Sequence, residues 1–129
     1  MMAGMEESQL RYSEDHFWIL EMGESVRIGL SDYAQEQLGE IVSLTLGEVG
    51  KFVEQGDPIG ELESQKTVVE LISPVSGTIR AVNDTATEDP SLINVDPYGK
   101  GWLVEVDLEE PEEIERLMNH EEYETFIED

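Results

Sequence analysis

Apolar and polar residues alternate along much of the chain, in the two-residue period of strands that bury one face. Between positions 26 and 30, valine, isoleucine and leucine alternate with arginine and glycine. Residues 41–46 and 52–53 continue this pattern, and a glycine turn at 47–50 separates them. These segments predict a mainly β domain.

A short helix interrupts the predicted strands. Ser31 is a favourable N-cap residue, and Asp32 places negative charge in the first turn, where the helix dipole favours it. Ala34 and Leu38 are four residues apart and therefore share one helix face. Gly39 can adopt the left-handed conformation that ends a helix. We predict a helix of about two turns.

The next strands form a hairpin. Residues 59–64 and 67–72 predict two strands that are joined at Gln65 and Lys66. A further strand is predicted to end at residue 82. The hairpin prediction places Lys66 at its tip.

The remainder of the chain combines a loop, a strand and two helices. Weak periodicity and turn-forming residues predict a long loop over 83–98, with one helical turn near 91–94. A strand follows over 102–106. Two short amphipathic helices end the chain, because apolar residues recur at i, i+3 and i+4. These residues are Ile114, Leu117 and Met118 in the first helix, and Tyr123, Phe126 and Ile127 in the second.

The composition indicates one acidic domain. The chain has 129 residues, of which 39% are hydrophobic, so it can form a single core. We assign 1–10 to a short extension and 11–129 to one domain. Acidic residues outnumber Lys and Arg by 31 to 7, giving a net charge of −24. This surface disfavours nucleic acid and membrane partners, favours partners with basic docking patches, and suits either solubility or adaptation to high salt.

The chain contains no cysteine, so redox chemistry would require an attached group. Residues 1–9 lack the basic and apolar regions of a signal peptide, and no apolar run is long enough to span a bilayer. We therefore expect a cytoplasmic protein.

Lys66 is the residue whose position most clearly indicates a chemical role. Of the three lysines, Lys51, Lys66 and Lys100, only Lys66 lies between two predicted strands on a tight turn. A hairpin tip presents a primary amine to a modifying enzyme, while the strands below hold its position. An ordinary solvated lysine is the alternative interpretation.

The sequence around Lys66 resembles a lipoyl-attachment hairpin. Glu63, Ser64 and Gln65 precede the lysine, and residues 73–77 read S-P-V-S-G, as in such hairpins. A biotin-carrier hairpin would have methionines on both sides of the lysine, whereas Gln65 and Thr67 stand there. The resemblance therefore favours lipoate.

The sequence resembles the glycine cleavage H-protein family over about residues 11–127. Matching motifs occur in the family's order along the chain. They are Arg11-Tyr12, His16 and Trp18, the segment 29–39, the turn 48–50, and the segments 92–94, 96–99 and 101–103.

This resemblance implies a barrel-sandwich β fold with short helices and with lipoate amide-linked to Lys66. Such a protein is a swinging-arm carrier and not an enzyme, and a lipoate ligase or lipoyl transferase would modify it. The resemblance also marks Glu63 and Ser64 as candidate residues of the cofactor site, and we add Glu70, which departs from the family motif, and His16. His16 could line the pocket where the arm docks or fill a polar niche beside Trp18, and we favour the structural role.

One departure from the family motif affects the predicted pathway. The family's H-E-W motif reads His16-Phe17-Trp18 here, so the glutamate that would face a cationic amine is an apolar ring. Glu14, Asp15 or Glu70 could replace it. We therefore favour a carrier for sulfur oxidation with a heterodisulfide-reductase-like complex. The alternative is the aminomethyl carrier that serves the P, T and L proteins of glycine cleavage.

Two further functions remain open: an unmodified acidic interaction module, and a lipoate reservoir that passes lipoate to other proteins. His120 and Glu124 have the i, i+4 spacing of metal ligands on a helix, but no third ligand is identifiable. We predict no metal site.

Overall fold

The structure is a computed structural model that describes residues 10–128, and its strands form two antiparallel sheets. The strands are β1 (Arg11–Tyr12), β2 (Phe17–Met22), β3 (Ser25–Leu30), β4 (Ile41–Leu46), β5 (Phe52–Val53), β6 (Pro58–Ser64), β7 (Val68–Ile72), β8 (Gly77–Val82) and β9 (Val104–Leu108). The helices are α1 (Asp32–Leu38), α2 (Asp84–Glu88), α3 (Ser91–Val95) and α4 (His120–Glu128), together with a 3₁₀ helix, Pro111–Arg116.

The larger sheet has the strand order β1-β2-β3-β9-β8-β5, and the smaller sheet has the order β4-β6-β7. The hairpin of β6 and β7 therefore belongs to the smaller sheet, and β7 is an edge strand. One side of the hairpin that carries Lys66 is consequently unpaired.

The main core lies between the two sheets. In the larger sheet, Val26 pairs with Val106, which pairs with Ile79, and all three side chains are fully buried. In the smaller sheet, Leu44 pairs with Leu62, and both are buried. Each sheet turns one apolar face inward, so every second residue of a strand is apolar. This explains why the alternation in sequence predicts the strands.

A second, smaller cluster contains Leu10, Tyr12, Trp18 and Tyr123. Trp18 is fully buried, and its indole nitrogen donates a hydrogen bond to the backbone oxygen of Pro97 at 3.0 Å. The cluster joins β1, β2 and α4, and it therefore fixes the C-terminal helix against the larger sheet.

The structure contains the predicted helix and hairpin. Ser31 caps α1, since its hydroxyl oxygen accepts a hydrogen bond from the Ala34 amide at 3.1 Å. Gly39 ends the helix with φ 80°, and its amide donates to the Gln35 carbonyl. The hairpin strands differ from the prediction by one residue at one end of each.

The strand β2 is missing from our sequence prediction. Phe17, Trp18 and Ile19 are all buried, because the two apolar clusters cover both faces of the strand. A strand that is buried on both faces lacks the alternation on which the prediction depends.

The prediction of a long loop over 83–98 is only partly right: the helical turn expected near 91–94 is confirmed as α3, whereas the preceding part of the segment forms α2, which was not predicted. Each helix has only five residues, too few to show helical periodicity. Asn83 caps α2 by accepting a hydrogen bond from the Ala86 amide at 3.3 Å. No helix within residues 10–128 has the length and apolar character to cross a membrane.

The predicted strand over 102–106 and the first predicted C-terminal helix also need correction. Trp102 lies before β9, where its ring packs against Arg27 at 4.6 Å. The first C-terminal helix is a 3₁₀ helix that ends at Arg116. Met118 lies beyond it and exchanges two backbone hydrogen bonds with Tyr12, so strand-like pairing replaces the predicted last helical turn.

Gly77 tests the close packing of the larger sheet. A Cβ atom at Gly77 would lie 2.0 Å from the Asp107 carbonyl oxygen, so Gly77→Ala should lower the free energy of unfolding by about 1–3 kcal/mol. Gly47→Ala is the control, because its nearest neighbour would be the end of the Ile79 side chain at 3.3 Å. Urea unfolding measures both, and equal losses would contradict the packing described.

Candidate functional site

Ser64 holds the turn that carries Lys66. Its side-chain oxygen accepts hydrogen bonds from the Lys66 amide at 3.1 Å and the Thr67 amide at 3.2 Å. The Ser64 amide also donates to the Thr67 carbonyl at 2.8 Å. Ser64 is buried, whereas Lys66 is exposed. The turn therefore has an ordered backbone below an accessible lysine side chain.

The residue before the lysine ties the hairpin to the body of the protein. Gln65 donates through its amide to the Glu40 carbonyl at 3.0 Å, and through its side chain to the Glu40 carboxylate at 3.2 Å. Glu40 lies between α1 and β4. The hairpin tip is thus hydrogen-bonded to the segment that follows the C-terminal end of α1.

Asn94 fixes this junction from the opposite side. Its side-chain nitrogen donates to the Gly39 carbonyl and to the Gln35 side chain, each at 2.9 Å. Its side-chain oxygen accepts from the Ile41 amide at 2.9 Å. We did not identify Asn94 as a site residue from sequence, because its three partners lie more than fifty positions away.

The Lys66 side chain lies beside Gly39. A Cβ atom at Gly39 would be 3.3 Å from Lys66 Cε and 3.8 Å from Nζ. The glycine therefore ends α1 and also leaves space for the lysine side chain.

A cleft of about 320 Å³ lies along β7, and we name it the β7 cleft. It begins at Val69, three residues from Lys66, or about 10 Å along an extended chain. Its apolar lining comes from β2, β3, α1 and β7: Phe17, Leu30, Ala34, Leu38, Val69, Leu71 and Ile72. Its polar lining is Asp15, His16, Tyr33, Gln37 and Glu70.

Two of the three acids proposed from sequence line the β7 cleft. Asp15 and Glu70 are exposed carboxylates on this cleft, whereas Glu14 lines a neighbouring cleft with Arg116. Phe17 is buried in the core and contributes an apolar wall. Glu63 is exposed near the hairpin tip and pairs with Val68 across the strands, and it does not line the cleft.

His16 lines the β7 cleft and also makes a structural connection. Its Nδ1 atom lies 2.9 Å from the Tyr123 hydroxyl, which lies 2.7 Å from the Ser31 hydroxyl. Burial lowers the pKa of His16, which favours a neutral ring that accepts from Tyr123. Burial also raises the pKa of Tyr123 to about 12. His16 packs near the rings of Tyr33 and Phe126, and not in the niche beside Trp18 that we considered.

The site combines an exposed amine on Lys66 with the apolar β7 cleft. An exposed lysine on an ordered turn suits a covalently attached acyl group, and the apolar β7 cleft suits the chain of that group. His120 and Glu124 lie 3.2 Å apart, at the spacing noted above. Across residues 10–128, no three acidic or histidine side chains are grouped to hold a metal ion.

Comparisons with known proteins agree on one family. The family model described as glycine cleavage H-protein matches residues 10–129. A glycine cleavage system H protein from Geobacillus kaustophilus is 44% identical over 119 residues, which cover 92% of this chain and 94% of the relative. A glycine cleavage system H protein from Bacillus pumilus is 47% identical over 115 residues, which cover 89% and 91%.

A solved structure gives the same result. The crystal structure of a glycine cleavage system H protein from Mycobacterium marinum is 40% identical to this chain, with a TM-score of 0.83. The match covers 92% of this chain and 95% of that one. This likeness confirms the predicted mainly β, barrel-sandwich fold with short helices.

Ser64→Ala should loosen the turn and leave two backbone amides without their acceptor. We expect a loss of about 1 kcal/mol in unfolding free energy and slower acylation of Lys66 by a lipoate ligase. Ser43→Ala, on the exposed face of β4, is the matched control. Urea unfolding and time-resolved intact mass measure the two effects, and a normal acylation rate would show that the turn needs no such support.

His16→Asn should reduce the pH dependence of stability, and asparagine tolerates the positive φ of 73° at this position. The folded pKa of His16 lies below the unfolded value of 6.5, so the unfolded chain binds a proton first. Its contribution is complete above pH 6.5 and decreases as the pH falls through the lower folded pKa. Thermal unfolding of both proteins from pH 7.5 to 5 tests this, and parallel curves would contradict it.

Proposed function

Since the chain belongs to the glycine cleavage H-protein family, we propose that it is the aminomethyl carrier of a glycine cleavage system, with lipoate attached to Lys66. Members of this family carry lipoate covalently on a lysine and are carrier subunits without catalytic activity of their own. The partners under this proposal are the P, T and L proteins and a lipoate ligase.

The observation that carries the proposal is the ordered turn below an exposed lysine. Ser64 and Glu40 hold the backbone on both sides of Lys66, so the amine has a defined position without being buried. Lys51 and Lys100 are also exposed, but neither lies at the tip of a hairpin. These contrasts support Lys66 as the attachment residue.

Lipoate supplies a dithiol and disulfide pair, the redox chemistry that a chain without cysteine cannot provide. The residues of the β7 cleft would shelter the attached group between visits to partner enzymes. Leu38, Val69 and Leu71 remove it from water, and Glu70 and Asp15 face it with negative charge. Tethering also keeps the cargo at high local concentration near each partner site.

The two carboxylates favour an amine as the cargo. A protonated amine needs an acceptor or an anion when it is sheltered. Phe17 offers neither, and this is the basis of the prediction of sulfur oxidation. Asp15, two positions earlier, and Glu70 line the same cleft and can supply the charge. The relatives at 44% and 47% identity are themselves named glycine cleavage system H proteins, which supports the same pathway.

Labelled glycine tests this proposal directly. We expect the chain with its lipoyl group in the disulfide form, incubated with a glycine-decarboxylating P protein and glycine labelled with ¹³C at the methylene carbon, to gain that carbon on one sulfur of the Lys66 peptide, while the carboxyl carbon leaves as CO2 and the second sulfur becomes a thiol. Lys66→Arg should abolish the gain, whereas Lys51→Arg and Lys100→Arg should keep it. A lipoylated chain that takes up no label, but gains sulfur that a reductant releases, would return the assignment to sulfur oxidation.

Glu70→Gln and Asp15→Asn test the proposed amine site. Each exposed carboxylate should contribute about 1 kcal/mol at most, so each variant should lose the loaded group to solvent up to about fivefold faster. Glu61→Gln is the matched control, because Glu61 pairs with Glu70 across the strands but does not line the cleft. Mass spectrometry of the loaded protein over time gives the rates at which the group is lost. Equal rates in all three variants would show that Glu70 and Asp15 do not stabilise the bound amine.

A further inference from the structure

All four tyrosines of the chain line one cleft, which we name the tyrosine cleft. Its volume is about 220 Å³, and it lies between α1 and α4. They lie at positions 12, 33, 98 and 123, far apart in sequence. Their convergence is a property of the fold that neither the attachment of lipoate nor the β7 cleft requires.

The aromatic surfaces of the tyrosine cleft are held in place. Tyr12 and Tyr123 are buried and stack with their centroids 4.4 Å apart and their planes within 4°. Tyr98 packs on Trp18, and its hydroxyl accepts a hydrogen bond from the Asp32 amide at 2.9 Å. Tyr33 and Tyr98 are only half-buried, so each is partly exposed to solvent.

Most of the charged side chains around these rings are acidic. Asp32, Glu36 and Glu124 line the cleft and are exposed, and His120, which also lines it, lies 3.2 Å from the Glu124 carboxylate through Nε2. Within residues 10–128, no lysine or arginine lines it. Aromatic faces and carboxylates both attract cations, so two independent features of the cleft select the same class of ligand.

We propose that the tyrosine cleft receives an arginine side chain from a partner protein. A guanidinium group stacks on aromatic rings through its flat faces and pairs with carboxylates through its edge, which a lysine ammonium group does less well. Small-molecule sites usually occupy about 300–1,000 Å³, so a cleft of about 220 Å³ suits one side chain. The net charge of −24 makes a basic partner surface the complementary one.

The tyrosine cleft adjoins the β7 cleft through Tyr33, which lines both. An arginine bound there would place the partner beside the cleft that shelters the lipoyl group. The partner's identity rests on the proposed function, and we assign the arginine to one of the enzymes that the carrier visits. The binding of an arginine does not require a modified Lys66.

The first test uses N-acetyl-arginine amide as the probe and the full ¹⁵N-labelled chain. We expect saturable NMR shifts confined to amides near Tyr33, Glu36, Tyr98 and Glu124, and no such shifts with the citrulline analogue, which has the same shape without the charge. The double variant E36Q/E124Q should weaken binding at least threefold. E112Q/E115Q removes the same charge from the exposed 3₁₀ helix and should change binding by less than 1.5-fold.

The second test uses the lipoylated chain as the substrate of each partner enzyme. E36Q/E124Q should raise KM at least threefold for one enzyme without changing kcat, and E112Q/E115Q should leave KM unchanged. Shifts spread over the whole acidic surface, equal effects of the two double variants, or an unchanged KM with every enzyme would overturn the proposal. Failure of the proposed function would give a different result, because the wild-type chain would then gain no aminomethyl group from glycine.

Discussion

The hydrogen bonds that converge on residues 39–41 hold the lysine hairpin against the rest of the molecule. Asn94 binds this junction from one side, and Gln65 binds it from the other through Glu40. Each such bond contributes about 1 kcal/mol, and losing one would leave a polar backbone group unpaired. A carrier needs this arrangement, because its attachment residue must be exposed while the turn below keeps one position.

Two arginines of the larger sheet pair with acids of the same sheet. Arg27 and Arg80 lie on the larger sheet, where Arg27 binds Glu105 at 2.7 Å and Arg80 approaches Glu105 and Asp107 at 3.7 Å. These basic residues neutralise acids on their own sheet. The acids that line the two clefts beside α1 have no lysine or arginine among the lining residues of the described chain. A basic partner surface is therefore attracted to the acids of these two clefts.

Much of the site was predictable because its signals are local. The strands of the hairpin, the Ser31 cap and the Gly39 helix end each depend on residues that are close in sequence. Lys66 followed from its position between two strands and from its motif. The contacts of Asn94 and the grouping of the tyrosines join segments that are far apart in sequence, so no local pattern reveals them. The buried strand β2 escaped prediction for a different reason, since two apolar faces remove the alternation.

The choice between glycine cleavage and sulfur oxidation depends on more than one motif. Phe17 in place of the family's glutamate indicated a lost amine site, but the fold brings Asp15 and Glu70 to the same cleft. A charge can thus be supplied from another position when the backbone brings that position close. The function of a cleft depends on all of its lining residues, and sequence order alone does not group them.

The most direct test of the central claim is the intact mass of the protein purified from its native source, with peptide mapping around Lys66. The account predicts a gain of one lipoyl group, located on the peptide that contains Lys66. An unmodified Lys66, in cells where other proteins carry lipoate, would contradict it and would favour an acidic interaction module that has kept the fold without the cofactor.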